Sequence, residues 1–185
     1  MHQTTEIEVR RLSAAEISPD LLDDFAHRQQ ITQKWVRQNG DWTLTDVSLL
    51  RAWNAEKRVW VASYMRQQIS RGGVTLGACF HDRLTGFCCV DGALSGRTAR
   101  YANLTMLFVD DRWQRNGIGR SLFHEACAYA LSMGAEKLFI SAIPSAETIA
   151  FYQSMGCVDA DEIIEAFVDS EDDRYLTFSL VPPQP

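Results

Sequence analysis

Apolar and charged positions alternate from the start of the chain. In TEIEVRRLS, Ile7 and Val9 sit between charged neighbours and Leu12 extends the pattern, which predicts a strand. SPDLLDDFAHRQQ then predicts a helix, with Ser18 as N-cap and Pro19 in the first turn. Asn39–Gly40 breaks the next stretch. WNAEKRVWVASYMRQQISRGG carries Trp60, Val61, Tyr64, Met65 and Ile69 at helical spacing and stops at Gly72–Gly73. VTLGACFH and TGFCCVDG, rich in strand formers and joined by a short polar link, predict a hairpin. YANLTMLFV is the strongest strand pattern. A helix from Gly117 follows, with Leu122, Phe123, Ala126, Cys127 and Ala130 on one face and Gly134 past its end. KLFISAI reads as a strand buried on both faces. A short helix, AETIAFYQSM, starts after Pro144–Ser145 and stops at Gly156. IIEAFVD and RYLTFSL predict two final strands. The order β-α-α-β-β-β-α-β-α-β-β, without repeat or linker, predicts one α/β domain over residues 1–181 and a tail at 182–185.

Composition narrows the function classes. The length of 185 residues suits one well-filled core. No apolar run approaches a membrane span, and MHQTTEIEVRRLS lacks the apolar core of a signal peptide, so a cytoplasmic, non-membrane protein is expected. Cys79, Cys88, Cys89, Cys127 and Cys157 lack zinc-site spacing and read as buried small hydrophobes, so no metal is expected. A net charge of −6 argues against nucleic acid as a partner. DADEIIEAFVDSEDD is acidic throughout: either a solvated edge, or a field that steers a cationic ligand.

DRWQRNGIGRSLF places two glycines and three arginines between a predicted strand and a predicted helix. A P-loop requires a spacing that is absent here. A dinucleotide fingerprint requires a glycine where Leu122 stands and an acidic residue where the next strand ends in Ser141, Ala142 and Ile143. Two readings survive. The turn is a helix start with spare glycines, or its backbone N–H groups from Gln114 to Arg120 converge on an anion, with Gly117 and Gly119 permitting close approach.

The arrangement strand, Gln114-x-x-Gly117-x-Gly119, helix, strand, then a short helix with Phe151-Tyr152-x-x-x-Gly156 resembles the GCN5-related N-acetyltransferase (GNAT) family. The resemblance covers about residues 5–181 in element order, and its specific part runs from Asn103 to Cys157. It implies a central mixed, largely antiparallel twisted sheet flanked by about four helices, with a strand splay at an acetyl-CoA site. It implies that Gln114, Arg115, Asn116, Gly117, Ile118, Gly119 and Arg120 hold the diphosphate of the cosubstrate acetyl-CoA. It further implies that the backbones of Leu107, Phe108 and Val109 pair with its pantetheine arm, and that Tyr152 protonates the leaving thiolate. Without that family context, Tyr152 reads as a core or interface tyrosine.

Two positions depart from the family pattern. Many relatives carry a glutamate base eleven residues before the glutamine, where this chain has Asn103, which cannot accept a proton at useful pH. A water chain, for example one held by Thr105, or another residue such as His27 or His81 must then take the proton. Asparagine often stands at the position of Ser145, where serine can still cap the helix. The resemblance implies that Ser145 and Tyr152 line the cofactor site and that Asn103 stands at a catalytic position. Trp35, Trp42, Trp53 and Trp60 are either core or an aromatic wall for an acceptor. The expected reaction is acetyl transfer to the amine of a small molecule, such as a cationic metabolite or antibiotic, or to an N-terminal amine. O-acetylation and longer acyl donors remain open. The competing class is a non-catalytic acyl-CoA-binding regulatory domain, and a homodimer through exposed edges is compatible with either.

Overall fold

The computed structural model describes residues 7–181, so Thr5 and Glu6 of the expected first strand and the expected tail at 182–185 lie outside the described residues. In chain order the elements are β1 (Glu8–Arg11), β2 (Arg28–Gln38), β3 (Asp41–Ala52), α1 (Ala55–Ser70), β4 (Val74–Phe80), β5 (Arg83–Ser95), β6 (Tyr101–Val109), α2 (Ile118–Ser132), β7 (Lys137–Ala142), α3 (Ala146–Ser154), β8 (Val158–Asp159) and β9 (Arg174–Ser179). Seven strands form one sheet in the order β1-β4-β5-β6-β7-β9-β8, while β2 and β3 form a separate hairpin. Only the β6–β7 pair is parallel, so the sheet is mixed and largely antiparallel, as expected.

Side-chain alternation sets the two layers. Leu76, Ala78, Cys88, Val90, Ala102, Leu104, Leu138 and Ile140 face one side. There they meet Ile118, Leu122, Phe123, Ala126 and Ala130 of α2, spaced three and four apart, and Ile149 and Tyr152 of α3. The other side is covered in two separate pieces. Val61, Ala62 and Met65 of α1 pack with Leu22, Phe25, Phe87 and Cys89 in one piece. Ile164 and Phe167 pack on Tyr101 and Phe139 in the other.

Two expected elements are replaced. The segment expected as the first helix is a series of tight turns, closed by bonds from Leu21 N–H to Ser18 O, Asp23 N–H to Asp20 O and Phe25 N–H to Leu22 O. Three α-helices therefore flank the sheet among the described residues. Ile17, Leu22 and Phe25 are buried beneath these turns. The long β2–β3 hairpin then turns at Asn39 (φ 52°) and Gly40 (φ 92°), two left-handed residues of the kind a two-residue hairpin turn requires. IIEAFVD is not a strand: its two buried side chains, Ile164 and Phe167, lie three apart, and Glu165–Phe167 forms a short 3-10 turn.

The hairpin docks on the far end of the sheet. The Arg174 guanidinium lies 5.0 Å from the Trp35 ring centroid and 4.9 Å from that of Trp42, and it pairs with Asp159 through bonds of 2.6 and 2.8 Å. Trp35 N–H donates to Pro144 O at 2.7 Å. The two readings of the tryptophans divide: Trp53 packs against the core, while Trp35 and Trp42 face a cation that is the protein's own Arg174. Arg174→Ala removes the sandwich and leaves Asp159, itself half exposed, without its partner. The expected loss is about 2 kcal/mol, a fall in Tm of roughly 4–8 °C by calorimetry.

Candidate active site

Parallel pairing between β6 and β7 covers only Tyr101–Lys137, Ala102–Leu138 and Asn103–Phe139. Beyond Asn103 the two strands separate, and the β7-facing edge of β6 from Leu104 to Val109 has no strand partner among the described residues. Near the same point the β5–β6 register slips: Val90 faces Leu104, but Cys89 faces Met106. Thr105 is the extra residue, a bulge that bends β6 and re-aims its side chains. The sheet is therefore open where β6 ends, and an opened edge offers unpaired N–H and C=O groups to an extended ligand.

The turn after β6 is built around Asp110. Its carboxylate is fully buried and accepts from Ala26 N–H at 3.1 Å, Arg112 N–H at 2.9 Å and the Arg112 side chain at 2.6 and 2.9 Å. Burial pushes its pKa up, but the bonds from Arg112 and Ala26 outweigh that and hold it below the ordinary carboxylate value. Asp111 continues the brace. It accepts from Arg28 N–H at 2.6 Å and from the Gln114 amide at 3.0 Å, while its own N–H donates to Ala26 O. Asn116 bridges back to the carbonyls of Trp113 and Gln114.

Arg115 (φ 67°) and Gly117 (φ 77°) are both left-handed, and α2 begins at Ile118 without a side-chain cap. The first helical bond runs from Ser121 N–H to Gly117 O. The N–H groups of Arg115, Asn116, Gly117, Ile118, Gly119 and Arg120 find no acceptor in the protein among the described residues. Left-handed residues followed by an uncapped helix start form an anion-binding concavity, and Arg115 and Arg120 lie exposed beside it. The two glycines have different reasons. Gly117 supplies a positive φ in open space, whereas a Cβ on Gly119 would lie 3.2 Å from the Phe151 ring of α3. The second glycine therefore lets α3 approach, in addition to baring the backbone. These groups fit the diphosphate and the extended arm of acetyl-CoA.

Tyr152 is 7% exposed, inside the core between Phe123 and Phe151. Its pKa is raised well above the ordinary phenol, chiefly by burial, with Cys157 and Cys88 adding to the effect. Its hydroxyl makes no hydrogen bond among the described residues, and it is not one of the buried unpartnered atoms, so the oxygen reaches the surface while the ring is packed. Ser145 caps α3: its Oγ accepts from Thr148 N–H at 3.1 Å and from the Gln29 amide at 3.0 Å, and donates to Thr148 Oγ1 at 2.8 Å. That hydroxyl is engaged and 1% exposed, so Ser145 holds the helix carrying Tyr152. Asn103, on the last paired rung before the splay, is 5% exposed with an unpartnered Oδ1.

Leu107, Phe108 and Val109 lie half-buried along the open part of β6. His27 packs against Trp53 and Phe108 at ring separations of 4.6 and 5.1 Å. Burial holds its pKa below the ordinary imidazole value; Asp111 opposes this and Arg51 reinforces it. His81 lies in the β4–β5 turn, with its ring against Phe80. Sequence reasoning missed Asp110 as the organiser of the turn, although an aspartate directly after an apolar strand is a recognisable turn signal.

The acetyltransferase (GNAT) family model matches residues 29–157. The chain belongs to this family: it is an N-acetyltransferase that takes its acetyl group from acetyl-CoA. Among solved structures, a nourseothricin acetyltransferase superposes with a TM-score of 0.68 at 16% identity, covering 95% of this chain and 99% of that one. The PaiA N-acetyltransferase of Thermoplasma acidophilum, in complex with coenzyme A, gives 0.60 at 15% identity, with coverage of 94% and 99%. An aminoglycoside 6'-acetyltransferase type Ii gives 0.59 at 15%, with coverage of 96% and 99%. At these identities the likeness establishes the fold. No curated protein matches the chain. No helix of the described residues is long and apolar enough to cross a membrane, and no group of three potential metal ligands occurs among them.

The Asp110 brace titrates with a definite sign. A carboxylate whose folded pKa lies below its unfolded value stabilises the fold above about pH 4, and that contribution is lost as pH falls through the folded pKa. Asp110→Asn should cost roughly 2 kcal/mol in urea unfolding at pH 7. The gap between variant and wild type should narrow on going to pH 3, and a gap that stays constant would contradict the assignment.

Proposed function

We propose that the protein acetylates a primary amine of a small cationic molecule by direct attack within a ternary complex. The observation that carries this reading is the coincidence of an open β6 edge with six unpaired N–H groups at the start of α2. The turn Gln114–Arg120 holds the diphosphate, and the backbones of Leu107, Phe108 and Val109 pair with the pantetheine arm, which brings the thioester carbon to the splay. A backbone N–H of the bulged strand stabilises the oxyanion that forms when the amine attacks. As the C–S bond breaks, the Tyr152 hydroxyl gives its proton to the thiolate sulfur.

The raised pKa of Tyr152 keeps the phenol protonated through the working range, ready as a donor. Asn103 cannot act as a base; its Oδ1 accepts a hydrogen bond from the amine and orients the lone pair toward the carbonyl. The amine's proton leaves through water at the Thr105 bulge, and neutral His27, packed against Phe108 of the same strand, is a candidate imidazole to receive it.

Thiol release from acetyl-CoA, screened over an amine panel, tests the reading. Turnover is expected on at least one amine class, and Tyr152→Phe should lower kcat roughly ten- to a thousandfold. Acetyl-CoA affinity measured calorimetrically should stay near the wild-type value. An unchanged kcat would remove the proton-donor role.

A further inference from the structure

The backbone around His27 is held by one aspartate. Asp111 N–H donates to Ala26 O at 2.9 Å, and Arg28 N–H donates to Asp111 Oδ2 at 2.6 Å, so Asp111 grips the residues on both sides of His27. Trp53 N–H completes the hold by donating to His27 O at 3.1 Å. The ring itself packs against Trp53 and Phe108, at centroid separations of 4.6 and 5.1 Å. Both aromatics border the α1-side core, and Phe108 lies on the open part of β6. Alternation along β6 puts Asn103 on the same side, because Ala102 and Leu104 belong to the opposite core. His27 therefore stands beside the strand that carries Asn103 where many relatives carry a glutamate base.

Neither ring nitrogen of His27 makes a hydrogen bond among the described residues, and neither is one of the buried unpartnered atoms, so both stay open to water. Burial favours the neutral ring, the form that can take a proton. Two charges act on it: Asp111, from the turn after β6, favours the imidazolium, and Arg51 of β3 opposes it. From α1, Arg58 donates to Phe25 O at 3.1 Å, and Asp24, Asp110 and Arg112 pair with one another beside Ala26. Asp111 is thus the carboxylate that both fixes the ring and stabilises its charged form. Its other oxygen accepts from the Gln114 amide at 3.0 Å, which ties the histidine to the glycine turn.

We propose that Asp111 is a positioning residue for His27: it fixes the imidazole beside the open strand and stabilises the imidazolium formed when the ring takes the acceptor's proton. This rests on the acetyl-transfer reading and supplies the base that Asn103 cannot be. A bridging water gives one proton to a ring nitrogen and takes one from the ammonium. The freed lone pair forms the C–N bond, the C–S bond breaks, and the thiolate takes the Tyr152 proton. The Tyr152 oxygen then takes the second proton from the new amide nitrogen, and His27 returns its own to solvent.

The His27 ring is titrated by NMR in CoA-saturated protein, assigned by the signal lost in His27→Gln, and compared between wild type and Asp111→Asn. Wild type should titrate below the ordinary imidazole value, and Asp111→Asn should titrate lower still, by about half to one pH unit. The pH dependence of kcat/KM, with an amine that gives thiol release from acetyl-CoA, should show the same displacement. Its acid limb follows deprotonation of His27, so it moves to lower pH in Asp111→Asn. In His27→Gln the limb should disappear, with a roughly ten- to a thousandfold loss of kcat/KM. A merely structural aspartate would lower the rate at every pH and leave the limb in place. An unmoved His27 titration in Asp111→Asn, or an acid limb that survives in His27→Gln, would overturn the proposal. No thiol release on any amine in wild type would instead sink the acetyl-transfer reading, while the NMR titration still decides whether Asp111 controls His27.

Discussion

The parting of β6 from β7 after Asn103 is the constraint on which the other features of the site depend. A parallel pair that continued to Val109 would satisfy its own backbone groups and leave no edge. Because it stops after three rungs, the second half of β6 carries unpaired groups that a partner or water must satisfy. The Thr105 bulge bends the strand at the place where pairing ends. The turn that follows adds six more unpaired donors, held in a left-handed conformation at Arg115 that costs energy and persists only because Asp110, Asp111 and Asn116 brace it. Stability spent in this way fits a surface shaped for an extended anion.

An open sheet needs something to keep it from collapsing, and the segment from Asp24 to Trp35 supplies it. It is tied to the end of β6 through Asp110 and Asp111 and to the start of α3 through Gln29–Ser145 and Trp35–Pro144. The ties lie on opposite sides of the splay, so the segment spans it. The Arg174 sandwich fixes the rest of the hairpin to β9. α1, the hairpin and the turn at Asp169–Asp173 then border one face of the splayed sheet, while the two glycines and α3 border the other.

Much of this was legible before any coordinates. α1, β4 to β7, α2, α3 and β9 lie where their apolar spacing puts them, whereas IIEAFVD forms no strand, and the glycine turn sits between β6 and α2 as its residues imply. What failed was local. Ser18–Pro19 is a good helix start, but Asp20, Asp23 and Asp24 favour turns, and the segment folds as a series of them with Ile17, Leu22 and Phe25 buried. The β2–β3 hairpin carried a usable signal in Asn39–Gly40, which is more than a break when extended runs lie on both sides. The role of Asp110 is visible only in three dimensions: an aspartate at a strand end organises two segments far apart in sequence, at Ala26 and Arg112. The acidic stretch was legible as charge alone, because the bonds of Ser141 with Asp173 and with the Asp169 N–H come from a different strand.

Hydrogen–deuterium exchange with and without acetyl-CoA measures the central claim directly, since it reads the backbone N–H groups themselves. The account predicts new protection concentrated in Leu104–Val109 and Arg115–Arg120, with little change in the β2–β3 hairpin. Protection confined to other segments, with the open-edge amides of Leu104–Val109 and the amides of Arg115–Arg120 exchanging as before, would contradict it.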